Sequence, residues 1–263
     1  MIAGLGFLDR FRRKPAHDSV RIVDLGRMEQ PVYAIGDVHG CRALLALALD
    51  AIRQDADVLG KAPKIILLGD VIDRGEDSAG VLDDLTRVSR EKMPTVVLGN
   101  HERMMLSFLR DPLKAWDWLQ QGGFETLRSY GLVLSPTEKP NARRLMQMLQ
   151  AHIPDHHIDW LQGLAHGYRL QVNAKTYVLT HAGLDAARPV EAQSEAAVLW
   201  GHNVSPEYPG LCMVQGHIVV DRPLLSDCLI RIDTGAHVSG RLSVLRLSDG
   251  RPPSVMSFGG KTL

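Results

Sequence analysis

Cysteine, aromatic side chains, a surplus of either charge and long apolar runs are all scarce in this sequence, and each shortage excludes something. Three cysteines (Cys41, Cys212 and Cys228) with no CxxC pair cannot staple a disulfide scaffold. They suit a reducing compartment, so a cytoplasmic protein is expected. Lys and Arg number 30 and so do Asp and Glu, for a formal net charge of +0, which offers no electrostatic footing for nucleic acid or an anionic membrane. No stretch approaches the ~20 apolar residues needed to span a bilayer, and no tandem repeat or low-complexity tract is present. What remains is ordinary globular usage, 45% hydrophobic and 23% charged over 263 residues, with ample apolar side chain for a core.

At the N-terminus a short apolar start is stopped by Asp9-Arg10 and followed by Arg12-Arg13-Lys14-Pro15. Apolar before basic is the reverse of a secretory signal. Residues 1–20 are therefore expected to be a flexible basic arm, ahead of one domain over residues 21–263.

What the sequence does contain is a recurring local grammar: a short apolar run, then glycine or threonine, then polar residues able to ligate metal. Val32-Tyr33-Ala34-Ile35 leads to Asp37-Val38-His39-Gly40, and Ile65-Ile66-Leu67-Leu68 to Gly69-Asp70. Thr95-Val96-Val97-Leu98 leads to Gly99-Asn100-His101-Glu102, and Tyr177-Val178-Leu179-Thr180 to His181-Ala182-Gly183. Runs of this length bounded by glycine predict buried strands. Helical patterns over residues 41–53 and 78–90 separate them, which predicts parallel strands with crossover helices, hence an α/β protein. Ligands collect beyond the carboxyl ends of such strands, where every polar cluster falls. Residues 103–170 read as a mainly helical insertion, with amphipathic patterns near 104–130 and 141–164 and with Trp116, Trp118 and Tyr130 as its core. Beyond residue 210, runs at 211–215, 228–232 and 241–247 predict a second, more antiparallel sheet.

Asp37, His39, Asp70, Asn100, His101, His181 and His217 are thus brought together. Histidine nitrogen with carboxylate and amide oxygen suits Mn²⁺, Fe²⁺ or Zn²⁺ without thiolate. Two such ions would clamp an in-line displacement at phosphorus and supply a hydroxide nucleophile, with Asp70 the candidate bridge between them. The Asp-x-His spacing puts Asp37 and His39 on one side of an extended segment. Arg74 could grip a phosphoryl group bidentately. Asp73 could orient His101, which would protonate the leaving alkoxide. His152, His156 and His157, beside Pro154, read as exposed polar histidines at a helix boundary. Glu102 reads as a local hydrogen-bond partner, and Cys41 as a buried structural thiol.

Asp37-Val38-His39-Gly40, Gly69-Asp70-Val71-Ile72-Asp73-Arg74-Gly75 and Gly99-Asn100-His101-Glu102 resemble the three signature blocks of calcineurin-like metallophosphoesterases. The Asp-Arg-Gly and His-Glu endings are similar to the bacterial and phage-type phosphoprotein phosphatase (PPP) branch. His181-Ala182-Gly183, Leu199-Trp200, Gly216-His217 and Ile232-Asp233-Thr234-Gly235-Ala236 support the likeness, which spans roughly residues 30–247. It implies a β-sandwich of two mixed sheets flanked by helices, and a phosphomonoester hydrolase acting on phosphoserine and phosphothreonine in proteins. A dinucleoside polyphosphate hydrolase is the alternative, and a non-catalytic phosphate-binding module a more distant one. The resemblance assigns Asp37, His39 and Asp70 to one divalent ion and Asp70, Asn100, His181 and His217 to a second, with Mn²⁺ ahead of Fe²⁺ or Zn²⁺. Arg74 and Asn100 would touch phosphate, and His101 with Asp73 would be the general acid. Many relatives carry a second phosphate-binding arginine just after the equivalent of Trp200. Here the chain reads Trp200-Gly201-His202-Asn203, with no arginine between Arg188 and Arg222, and His202 is the candidate stand-in for substrate binding.

Overall fold

The computed structural model describes residues 19–87, 94–136 and 140–260; the expected basic arm lies almost wholly outside them. Two sheets face each other. The first runs β1 (Ile22–Arg27), β5 (Gly167–Val172), β6 (Lys175–Thr180), β7 (Cys212–Gln215), β9 (Leu229–Arg231), β8 (Leu224–Leu225). The second runs β11 (Ser254–Gly259), β10 (Arg241–Leu247), β2 (Val32–Ile35), β3 (Lys64–Leu67), β4 (Thr95–Val96).

The pleat explains why β2, at the centre of the second sheet, reads as an unbroken apolar run. Successive side chains point to opposite faces, and both faces of β2 are covered. Val32 and Ala34 pack between the sheets with Ile66, Leu170 and Val214. Tyr33 and Ile35 face outward into a separate cluster with Ile52, Leu82 and Phe108. The helices supplying that cluster include α1 (Arg42–Leu59) and α2 (Ser78–Thr86), the crossovers joining β2, β3 and β4 in parallel. Helix α1 runs past the expected residue 53 until Gly60, whose left-handed backbone (φ 64°) lets its N–H close on Ala56 and Asp57 carbonyls. Helix α2 starts where Asp77 accepts the Gly80 N–H at 2.8 Å.

Between β4 and β5 lie α3 (Asn100–Arg110), a 3₁₀ turn (Trp116–Gln121), α4 (Gly123–Ser129), α5 (Ala142–His152) and α6 (Asp155–Gln162), followed later by α7 (Glu195–Trp200) and α8 (Ala236–Ser239). Each of the two long helical patterns is broken. Asp111-Pro112 and Gly122-Gly123 interrupt the first, and Pro154 divides the second. Trp116 and Trp118 are buried as core of this segment.

The expectation for the chain beyond residue 210 needs correcting. Strands β7 and β9 join the first sheet, parallel to β6 and to each other, while β10 pairs antiparallel with β2 and β11 in the other sheet. The reason is burial on both faces: Met213 and Leu229 pack outside with Val198 and Leu199, and Val214 and Ile230 pack between the sheets. A bridge between Val97 and Ala165 ties the segment leaving β4 to the chain entering β5.

Candidate active site

Six strands end at one rim. Asp37 and His39 follow β2, Asp70 and Asp73 follow β3, Asn100 and His101 follow β4, His181 follows β6, His217 follows β7 and Asp233 follows β9. The chain must turn sharply there to aim side chains inward. Among the described residues the non-glycine residues with positive φ are His39, Asp70, Asp73, Arg74, His217, Asn173 and Asn203. The two asparagines adopt this conformation readily; the other five hold it at about 1–3 kcal/mol each, a cost that surrounding structure must outweigh.

Asp70 is the hub. Its Oδ2 lies 3.6 Å from His39 Nε2, 3.4 Å from His181 Nε2 and 3.8 Å from His101 Nε2, while Oδ1 accepts the His101 N–H at 3.0 Å. Asn100 Oδ1 sits 2.8 Å from His181 Nε2 and 3.1 Å from His217 Nδ1. Asp37 Oδ2 accepts the His217 N–H at 3.0 Å. All seven residues expected at the centre therefore converge, and all are buried except half-buried His217.

The donor set fits divalent metal on three observations. His39 Nδ1 is 2.9 Å from the Ile72 carbonyl and His181 Nδ1 is 2.8 Å from the Leu68 carbonyl. Donating there leaves each Nε2 facing Asp70, as orienting partners do for ligating histidines. Asp37 Oδ1 is buried without a hydrogen-bond partner. Burial and the neighbouring Asp233 push the Asp37 carboxyl well above the usual carboxylate range, and burial also raises Asp233. A cation relieves that crowding. Burial, then His181, also holds His217 down at about 4, and burial holds His39 at about 3, so both imidazoles are neutral. His181 differs: burial pushes it down, but Asp70 outweighs burial and lifts it to about 10.

Glu102 shapes the rim. Its carboxylate accepts N–H groups from Gly99 (2.9 Å), Asp70 (2.9 Å), Val71 (2.9 Å) and Ile72 (3.3 Å), clamping the turn after β3 onto the start of α3. Gly99 must be glycine, since a Cβ there would collide with the Asp70 carboxylate.

Beside this cluster His101 Nδ1 donates to Asp73 Oδ2 at 2.7 Å, with both side chains buried. Asp73 is held from every side: Trp118 Nε1 donates to Oδ2 at 2.7 Å and Thr126 Oγ1 to Oδ1 at 2.6 Å. Burial raises Asp73 against these hydrogen bonds, whereas His101 is raised by Asp70 and Asp73 in spite of burial. Arg74 is exposed, with Nη2 at 3.1 Å from His101 Nε2. His202, in contrast, is exposed beyond α7; its ring makes no hydrogen bond among the described residues, although adjoining Gly201 packs beside the His217 ring.

Four residues escaped the sequence reading as members of this site. Trp118 and Thr126 lie 45 and 53 residues from Asp73, and no local pattern announces such partners. His237 stacks edge-on against His39 at 4.9 Å. Asp233 ends a short apolar run before Thr234-Gly235, so the same strand-end grammar marks it.

The converging ligands, the His–Asp pair and the two-sheet sandwich define a metal-dependent phosphoesterase. The family model for calcineurin-like phosphoesterases matches residues 30–220, and the chain belongs to that family, whose members use two divalent ions. It is 27% identical to serine/threonine-protein phosphatase 2 of Salmonella typhimurium over 87% of this chain and 98% of that one. With serine/threonine-protein phosphatase 1 of the same organism it shares 28% identity over 82% and 91%. With an asymmetrical bis(5'-nucleosyl)-tetraphosphatase of Bacillus velezensis it shares 24% over 85% and 91%. Its fold matches the crystal structure of a putative diadenosine tetraphosphatase with a TM-score of 0.63 at 22% identity, covering 93% of this chain and 100% of that chain.

Proposed function

We propose that this metallophosphoesterase is a protein phosphatase acting on phosphoserine and phosphothreonine. Asp37, His39 and Asp70 would hold one divalent ion and Asp70, Asn100, His181 and His217 a second, with Mn²⁺ the expected pair. Bound there, the ions supply Lewis-acid polarisation of the phosphoryl oxygens and an acidified water. The chain's own residues do the rest. Arg74 grips the phosphoryl group through its guanidinium, and Asn100 adds a polar contact. His101 protonates the departing serine or threonine oxygen from Nε2, while Asp73 accepts from Nδ1 and stabilises the imidazolium. His202 is a further candidate for substrate contact.

The observation that carries this reading is the 3.1 Å approach of Arg74 Nη2 to His101 Nε2: a phosphoryl group held by the guanidinium has its ester oxygen within reach of the acid. An alkoxide leaving group needs that proton far more than a phosphate leaving group does, which favours a phosphomonoester over a dinucleoside polyphosphate. The near-complete overlap with the two Salmonella phosphatases supports the same choice; the tetraphosphatase relatives support the alternative. One Mn²⁺-loaded preparation assayed on phosphoserine, phosphothreonine and phosphotyrosine peptides and on diadenosine tetraphosphate separates them. Expected is a kcat/KM at least about tenfold higher, ~1.4 kcal/mol, on the phosphoserine or phosphothreonine peptide. A preference for the dinucleotide overturns the reading.

A further inference from the structure

A second knot of metal-ligating side chains lies away from the strand ends, between α2 and α6. We propose that Asp83, His156 and His157 form an additional divalent-metal site, of the two-imidazole, one-carboxylate kind that takes Zn²⁺. One ligand atom from each lies within 4.8 Å of the others, and such a donor set suits zinc among the borderline divalent ions.

His157 supplies the observation that a mere surface cluster would lack. Its side chain is only 1% exposed, so the expectation of exposed histidines at a helix boundary fails for this residue. Nδ1 is 2.8 Å from the Tyr130 hydroxyl, an anchor from the end of α4 that orients the ring. The buried Nε2 has no hydrogen-bond partner; Asp83 Oδ1 is 3.2 Å away but off the ring N–H line. The His156 ring stands edge-on at 4.4 Å, and His156 is exposed, leaving coordination positions open to water. Arg87 holds the other Asp83 oxygen at 3.2 Å, which turns Oδ1 toward the imidazoles; at 72% exposed, Arg87 is free to move aside. His152 takes no part, its Nδ1 turning to the Met148 carbonyl of its own helix at 2.8 Å.

An ion here would join α2 to α6. Helix α2 also carries Ser78, whose Oγ accepts the Asp73 N–H at 2.9 Å, so the clip braces the segment behind the catalytic pair.

The test titrates Zn²⁺ into the full chain already equilibrated with Mn²⁺, counts bound ions by native mass spectrometry, and compares wild type with His156→Ala. Expected are one fewer Zn²⁺ per chain in the variant and loss of the Zn²⁺-dependent rise in Tm. The metal-free Tm and the turnover of p-nitrophenyl phosphate should match wild type. Asp83→Asn should repeat the loss of the ion. Equal Zn²⁺ counts in wild type and His156→Ala overturn the site. Asp70→Asn, which would empty the strand-end cluster, should leave that difference unchanged, so failure of this site and failure of the proposed phosphatase centre are told apart.

Discussion

Asp73 accepts hydrogen bonds from three side chains on two oxygens, and its burial makes each of them matter, because an unsatisfied buried carboxylate oxygen costs about 1–3 kcal/mol or more. Thr126→Val leaves Oδ1 without its donor. We expect kcat on a phosphopeptide to fall about tenfold with KM near wild type, and Thr126→Ser to restore it; an unchanged kcat would remove Thr126 from the positioning role. His101→Ala should keep both metals, as read by elemental analysis, and lose about 10²–10⁴ in turnover on a phosphoserine peptide. The loss on p-nitrophenyl phosphate should be much smaller, since that leaving group departs without a proton. These two substitutions separate the acid from the residue that holds its partner in place.

At the scale of elements, α1 is pinned to the second sheet by Asp55, whose Oδ2 accepts from the Tyr33 hydroxyl at 2.6 Å while both oxygens accept from Arg246 Nη1 at 3.0 Å. Burial pushes the Asp55 carboxyl up, but Tyr33 and Arg246 together hold it below its ordinary value. A carboxyl depressed in the folded state binds its proton more readily when unfolded. Its stabilisation is therefore complete above the unfolded value near 4 and is lost as pH falls through the folded one. Asp55→Asn should cost about 1–3 kcal/mol at pH 7 and flatten the decline of stability below about pH 4 in urea titrations; parallel pH profiles for the two proteins would refute the link. Strand β2, buried on both faces, was legible because a buried strand must be apolar throughout. Strands β1 and β11 were not. They lie at sheet edges with side chains largely exposed or half-exposed, so water tolerates polar residues there and no apolar run marks them.

For the whole molecule, metal held as proposed where Asp37, Asp70 and Asp233 crowd at the meeting of two sheets would couple metal binding to folding. A cation held only by the folded chain stabilises it by about 2.7 kcal/mol at a hundred times its Kd. Chelation should therefore abolish activity and lower Tm, Mn²⁺ should restore both, and Asp70→Asn should lose most of that metal-dependent rise. A Tm indifferent to chelator would show that the two sheets hold together without the ions. The sequence alone determined the chemistry on offer: Asp37, His39, Asp70, Asn100, His181 and His217 stand where apolar runs stop, and a chain that buries those runs as parallel strands must present their polar ends at one rim. Only the tertiary structure decided the remainder. It assigned β7 and β9 to one sheet and β10 to the other, set Trp118 and Thr126 against Asp73, and brought Asp83 to His157 from another helix. Those pairings join segments far apart in the chain, and side-chain packing selects them where local periodicity carries no information.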